Sequence, residues 1–100
     1  MIGGNDIIHQ AMRLKIMAAL NALPARQGTI EFTRLKTLVG ATDGNLGAHL
    51  DTLEKAGYIM IEKRFAERKP QTSVRMSPAG RRAFAEHVAY LREIIDGAGA

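Results

Sequence analysis

The sequence predicts a single, mainly helical α+β domain, and three observations lead to this prediction. Apolar residues recur at intervals of three and four along four segments, as on one face of a helix. Before the last of these segments, the runs YIMIEKR and TSVRM are typical of two short strands. The 100 residues, 46% of them apolar, can fill one core but not a core and a deep substrate cleft, so we expect one domain over residues 1–100.

The first predicted helix runs from about Asp6 to Leu23. Asp6 can cap its first turn, and Pro24 ends it because proline cannot continue a helix. A turn at Gly28 then leads into a β-prone piece, Thr29 to Phe32, which is long enough only for an edge strand or a bridge.

The second and third predicted helices form a helix-turn-helix pattern. The second spans Phe32 to Val39, ends at Gly40, and should bury Phe32, Leu35, Leu38 and Val39. The third covers about residues 43–56, is capped by Thr42 and stops at Gly57, the residue type that a helix C-terminus prefers. Its apolar stripe consists of Leu46, Leu50 and Leu53.

A hairpin and a long helix complete the predicted fold. The strands are YIMIEKR and Thr72–Met76, with Lys69–Gln71 as the loop tip between them. Ser77 can cap the last helix, in which Pro78 occupies the first position, where a missing N–H costs nothing. This helix should run from Pro78 to about Ile95.

Positive charge is concentrated in the hairpin and the start of the last helix. Between Lys63 and Arg82 lie seven of the fourteen Lys and Arg residues and one acid, Glu67, so this segment carries +6 in a chain whose net charge is +4. A cationic hairpin that follows a helix suits a polyanion, and DNA is the commonest polyanion bound by proteins of this size.

The composition excludes several other classes of site. The chain has no cysteine, which removes disulfides, thiolate metal sites and cysteine nucleophiles and fits a reducing cytoplasm. His9, His49 and His87 are about forty residues apart without a carboxylate at ligand spacing, so we expect no metal site and no cofactor. There is neither an apolar run of membrane-spanning length nor a secretory signal, so we expect a cytoplasmic protein that does not associate with membranes.

The segments NLGAHLDTLEKAGYI, RKPQTSVRMSPAGRRAF and FTRLKTLVG resemble the winged helix-turn-helix domains of MarR-like and ArsR-like transcriptional regulators. The resemblance covers nearly the whole chain. It implies three helices, a two-stranded wing, and a C-terminal dimerisation helix at residues 78–95. It also implies a homodimeric protein that binds double-stranded DNA at specific sequences, usually as a repressor. Its regulation would come from a small-molecule effector held between the dimer helices and the DNA-reading lobes.

The resemblance assigns two groups of residues to DNA. The third helix should enter the major groove, and the wing, about residues 63–76, should follow the backbone or the minor groove. The expected DNA contacts are Thr42, Gly44, Asn45, Ala48, His49, Thr52, Lys63, Arg64, Arg68, Lys69 and Arg75.

The third helix departs from the family pattern. Gly47 and Ala48 stand where relatives often carry a small polar residue followed by Arg or Lys. Because arginine to guanine is the commonest specific base contact, base discrimination is either modest or depends on Asn45 to adenine and on Ala48 to a thymine methyl group.

Several of these residues have a competing structural role. The wing cations could form an ordinary solvated face. His49 could be a half-buried helix residue that donates to a local carbonyl, and Thr42 and Asn45 could serve as cap and turn residues. The third helix also carries Asp43, Asp51 and Glu54, which leaves open a winged helix that binds an acidic protein partner through its hairpin.

The last helix has two adjacent apolar rows, more than one short partner helix can cover. The surplus predicts a homodimer whose interface comprises Ile7, Ile8, Met12, Phe84, Val88, Tyr90, Leu91 and Ile95. The alternative is that the first helix alone covers both rows. An enzyme is not expected, because the sequence has no convergent acid, base and nucleophile pattern and no phosphate-binding loop: the glycines of GATDGNLG are not followed by a lysine.

Overall fold

The computed structural model describes residues 4–24 and 27–97. In this part of the chain, five helices and three strands follow one another in the order α1 Asp6–His9, α2 Ala11–Asn21, β1 Thr29–Glu31, α3 Phe32–Val39, α4 Asp43–Lys55, β2 Ile59–Ala66, β3 Lys69–Met76 and α5 Pro78–Gly97. The fold is therefore the expected mainly helical α+β winged helix. None of the described helices combines the length and the apolarity that a membrane crossing requires.

The first predicted helix is two helices, so the prediction of one continuous helix is wrong. Gln10 has extended backbone angles (φ −62°, ψ 130°), and its side chain accepts a hydrogen bond from the Arg13 amide, which makes Gln10 the N-cap of α2. The cap of α1 is Asn5 rather than Asp6, because the Asn5 side chain accepts from the amides of Ile7 and Ile8. Two successive caps interrupt a pattern that is apolar at helical spacing throughout.

The sheet has three antiparallel strands in the order β1-β3-β2. The short piece before α3 is the expected edge strand: Thr29 pairs with Arg75, and Glu31 pairs with Ser73. The wing is the longer pair, β2 and β3, which stay in register from Ile59 opposite Met76 to Ala66 opposite Lys69.

The tip of the wing is formed by Glu67 and Arg68, not by Lys69–Gln71 as predicted. Both residues have left-handed backbone angles, with φ 51° and φ 67°. A two-residue turn of this hand matches the twist of the strands and usually selects Asn-Gly or Asp-Gly. The sequence carries neither pair here, so residue types alone favour a turn at the proline instead.

All five helices and one face of the sheet contribute to the core. It consists of Ile8, Ile16, Met17, Leu20, Ile30, Leu35, Val39, Leu46, Leu50, Leu53, Ile59, Val74, Met76 and Phe84. Leu38 does not join it. This side chain is 59% exposed, because α3 turns the neighbouring Val39 and Leu35 inward and leaves Leu38 toward solvent.

The turn between α3 and α4 takes the predicted form. Gly40 has φ 71°, a left-handed conformation that glycine adopts without steric cost. Thr42 then caps α4 by accepting a hydrogen bond from the Asn45 amide at 3.2 Å. These two residues fix the angle at which α4 leaves α3.

Candidate nucleic-acid interface

The exposed face of α4 is set by its buried leucines. Leu46, Leu50 and Leu53 are at most 2% exposed, so the helix cannot rotate about its axis without leaving the core. Gly44, Asn45 and Ala48 consequently lie at the surface. Thr52 is half-buried, and its hydroxyl donates to the Ala48 carbonyl at 3.3 Å.

Two of the three acidic residues of α4 are paired with lysines. Lys36 Nζ lies 2.7 Å from Asp43 Oδ1 and connects α3 to the first turn of α4. Lys55 Nζ lies 3.0 Å from Asp51 Oδ2, one helical turn away. Both pairs are exposed and contribute little to stability. They do reduce the negative charge that α4 presents to a polyanion.

His49 contacts an arginine of α2 rather than a local carbonyl. Its Nδ1 lies 3.1 Å from Nη1 of Arg13, whose Nε donates to the Ile7 carbonyl. Burial, and then the positive charge of Arg13, lower the pKa of His49. The ring is therefore neutral near pH 7 and holds its proton on Nε2, since Nδ1 accepts from Arg13. Sequence reasoning missed Arg13 because it lies 36 residues away along the chain.

The pleat of the wing divides the cations that the sequence grouped together. Residues opposite each other share a face, so Lys63, opposite Thr72, belongs to the face that begins with the buried Ile59. Arg64 and Arg75 belong to the opposite, outer face. The cations that are grouped together in the sequence therefore lie on two faces of the hairpin.

Lys63 is the wing cation that lies beside α4. It lines a shallow cleft between β2 and α4 together with Gly47, Asp51, Glu54 and Ile61. This cleft brings the inner face of the wing and the exposed side of α4 onto one surface. Arg68 and Lys69 are exposed at the tip of the same hairpin.

A second groove lies on the outer side, between α3 and the outer face of the sheet. It is lined by Arg34 and Arg64, which are distant in sequence, and by the acidic residue Glu31. The hydroxyl and amide groups that line it belong to Gln27, Thr29, Thr33, Thr37, Gln71 and Ser73. Arg64 also contacts Glu62 at 3.1 Å. Sequence reasoning missed Arg34 because it lies outside the cationic segment.

The residues predicted for a dimer interface fall into three groups. Ile8 is fully buried and Phe84 is 9% exposed; both pack in the chain's own core and are not available to a second subunit, which corrects their assignment. Ile7, Met12 and Val88 are half-buried against that core. Tyr90 covers Gly4, Leu91 is half-buried, and Ile95 is 71% exposed.

The histidines form no metal site in the part of the chain that the structure describes. His9 and His87 do meet, with ring centroids 5.4 Å apart, although no sequence pattern indicates it. Among residues 4–24 and 27–97, however, no cluster of three or more His, Cys, Asp or Glu side chains could hold a metal ion.

Comparisons with known proteins agree with this architecture. A family model described as a winged helix DNA-binding domain matches residues 12–95. An uncharacterized protein of Methanocaldococcus jannaschii is 33% identical over 82 residues, which make up 82% of this chain and 85% of that protein.

Solved structures give the same picture. The transcriptional regulator homologue of Pyrococcus horikoshii OT3 is similar with a TM-score of 0.83 and 28% identity, over 94% of this chain and 89% of that one. A MarR-family transcriptional regulator from Silicibacter pomeroyi shares the fold with a TM-score of 0.69 and 20% identity, over 92% of this chain and 58% of that one.

Proposed function

Because the chain belongs to the family of winged helix DNA-binding domains, we propose that it works in the cytoplasm as a homodimeric transcriptional repressor of a pseudo-palindromic DNA site. Each subunit inserts the N-terminal half of α4 into the major groove and lays its wing along flanking phosphates. Two-fold symmetry then separates the half-sites by about one helical turn of DNA, roughly 34 Å.

The observation that supports this proposal most is the shared surface of α4 and the wing. Lys63 lies across one shallow cleft from Gly47, so a duplex that meets the exposed face of α4 also meets the inner face of the hairpin. Arg68 and Lys69 extend the same hairpin toward the next stretch of backbone. A reading helix flanked by cations matches the division between base contacts and phosphate contacts.

Base recognition would depend on few side chains. Asn45 is exposed at the N-terminal turn of α4, where its amide can make two hydrogen bonds to adenine. Ala48, one turn later, can contact a thymine methyl group. No arginine lies on α4, so specificity toward guanine would have to come from elsewhere.

The competing proposal, a module for an acidic protein partner, loses much of its basis. It depended on Asp43, Asp51 and Glu54, which would disfavour α4 at a DNA surface. Two of these carboxylates are paired with Lys36 and Lys55. An effector remains part of our proposal, but at a site other than the one that the resemblance implies. The groove between α3 and the outer face of the sheet could accept a small anion, because Arg34 and Arg64 outnumber Glu31 in its lining.

The test is a selection of bound duplexes from a random pool, followed by two variants. Asn45→Ala should change which sequence is preferred, because it removes a base contact. Arg68→Ala with Lys69→Ala should weaken binding to all duplexes alike and reduce the dependence of log K on log [salt] by up to about 2 units per subunit, roughly one for each lost phosphate contact. A parent protein that enriches no sequence would refute the proposal, and equal affinity of the double variant and the parent would refute the wing contacts.

A further inference from the structure

Phe65, in the distal half of β2, is a large apolar side chain that the chain does not cover. It is 75% exposed, more than Ile95 or Leu38, the next most exposed large apolar residues of the described chain. Phe65 lies six residues beyond the buried Ile59, a distance of about 20 Å along a strand. The core cannot reach this far, so only a binding partner can bury the ring.

Pro70 lies opposite Phe65 in the hairpin. The two residues pair across the ribbon just before the turn of Glu67 and Arg68. Directly opposite side chains on one face of an antiparallel pair lie within contact distance. Phe65 and Pro70 therefore form a small apolar plate, the Phe65–Pro70 plate, at the end of the wing.

The plate lies on the same side of the wing as the reading helix. Phe65 shares its face with Ile61 and Lys63, and these two residues line the cleft against α4. A duplex whose major groove holds α4 would consequently place its neighbouring groove at the plate.

The charges around the plate indicate the chemistry of its partner. Lys63 lies on the plate's own face, Arg68 in the turn, and Arg64 and Lys69 on the opposite face. The acids of this region are Glu67 in the turn and Glu62, which is paired with Arg64. Cations thus outnumber acids around the apolar plate. The minor groove of DNA is complementary to this surface. Its two borders are rows of phosphates, which attract the cations, and its walls are apolar deoxyribose, which can contact the plate.

We infer that the Phe65–Pro70 plate packs against the deoxyribose wall of the minor groove that flanks the major groove entered by α4. This inference rests on the function proposed above. Proteins that bind this groove commonly place Phe or Pro side chains in it. The plate makes no base-specific hydrogen bond, so it would select DNA by the width and deformability of the groove at positions that α4 does not touch.

The test compares Phe65→Ala with a matched control, Met60→Ala. Met60 is also an exposed apolar residue of β2, 42% exposed, but lies on the outer face. On the duplex selected with the parent protein, Phe65→Ala should lose about tenfold in affinity, the effect of half-burying a phenyl ring. Its salt dependence should equal that of the parent, because no charge is removed. Met60→Ala should bind as the parent does.

Replacing guanine by inosine in the duplex tests whether the plate lies in the minor groove. Inosine lacks the guanine N2 amino group, which projects into the minor groove, and keeps the major-groove edge. Inosine in the flanking positions should change the affinity of the parent protein severalfold and leave that of Phe65→Ala unchanged.

Three outcomes would overturn the inference. The first is full affinity of Phe65→Ala for the selected duplex, and the second is an equal response of parent and variant to inosine. The third is a Phe65→Ala protein that sediments as a monomer where the parent is a dimer, because the plate would then be a contact between subunits. In each case sequence preference in the Asn45 experiment would still support the proposed function, whereas a parent without any sequence preference would remove both.

Discussion

At the scale of single residues, His87 connects the amino-terminal segment to α5. Its side chain is 1% exposed, and its Nδ1 accepts a hydrogen bond from the Asn5 amide at 3.0 Å. The Asn5 side chain also donates to the Tyr58 hydroxyl at 2.8 Å. Since Nδ1 is an acceptor, the neutral ring holds its proton on Nε2, which has no hydrogen-bond partner among the described residues. The hydrogen bond from the Asn5 amide thus requires the neutral ring.

The buried His87 should make stability depend on pH. Burial, and then the nearby His9, lower the pKa of His87 below its usual 6.5. The unfolded chain therefore binds more protons than the folded one in a window that begins near pH 6.5 and ends at the lowered value. The free energy of unfolding should be largest above pH 6.5 and decrease as the pH falls through this window.

The measurement is thermal unfolding of the parent and of His87→Gln between pH 8 and pH 5. The glutamine side chain can still accept from the Asn5 amide but does not titrate, so the variant should lose part of the parent's decrease in melting temperature. His49, whose pKa is also lowered, accounts for a remaining slope in both proteins. Identical slopes in parent and variant would contradict the assignment of His87.

At the scale of the elements, the start of α5 is fixed against the end of α4. The Ser77 hydroxyl accepts from the Gly80 amide at 2.9 Å, as an N-cap does, and donates to the Gly57 carbonyl. The Ser77 amide donates to the Tyr58 carbonyl at 3.0 Å. Gly80 allows this approach, because a Cβ atom there would overlap the Tyr58 carbonyl oxygen.

Gly80→Ala should therefore destabilise the fold although alanine is the better helix former. The added methyl group meets backbone, which cannot move aside as a side chain can, and we expect a loss of about 2 kcal/mol or more in the free energy of unfolding. Gly47→Ala is the matched control, since a Cβ atom at Gly47 in α4 has no neighbour within 4 Å. It should gain up to about 1 kcal/mol. Urea unfolding of both variants checks the pair, and equal stabilities would refute the close approach.

The elements also show where sequence reasoning succeeds. The bounds of α3, Phe32–Val39, and the cap at Thr42 were predicted to the residue, because burial and capping there follow from residue type and spacing. The break at Gln10 and the turn at Glu67 depend on backbone conformations that the residue types do not signal. An error in the predicted position of the turn also affects the predicted site, because this position decides which face of the hairpin each wing residue occupies.

The candidate site was predictable to a similar extent. The exposure of Asn45 and Ala48 follows from the leucine stripe of α4, which a sequence displays directly. The contact of His49 with Arg13 and the groove shared by Arg34 and Arg64 could not be predicted, because they join residues that only the tertiary fold brings together.

At the scale of the whole molecule, the chain is elongated, with extents of 57 × 27 × 22 Å. Its longest helix, α5, has 20 residues. A helix of 20 residues is about 30 Å long, and the buried residues of α5, namely Gly80, Phe84 and His87, all lie in its first half. Beyond Leu91, Ile94 is 45% exposed and Ile95 is 71% exposed. The second half of α5 thus presents apolar side chains that the described chain leaves uncovered.

We expect this half of α5 to pair with its copy in a second subunit, so a charge placed there should produce monomers. Leu91→Glu would bring an uncompensated carboxylate into the interface, and Ile95→Glu would do so at a side chain that takes no part in the core. Ala85→Glu adds the same charge at an exposed position in the first half of α5 and should remain dimeric. Sedimentation velocity distinguishes the species, and melting curves verify that each variant is folded.

Loss of the dimer should also remove the preference for a full DNA site over a half-site. A monomer binds each half-site independently and loses the gain in effective concentration that a linked second domain provides, a factor of about 100 or more. Leu91→Glu should therefore bind a full site little better than a half-site, whereas Ala85→Glu should keep the preference of the parent. The contradicting outcome is that both Leu91→Glu and Ile95→Glu remain dimers with an undiminished preference for the full site. The subunits would then have to meet through another surface, and α5 would be covered by something other than its own copy.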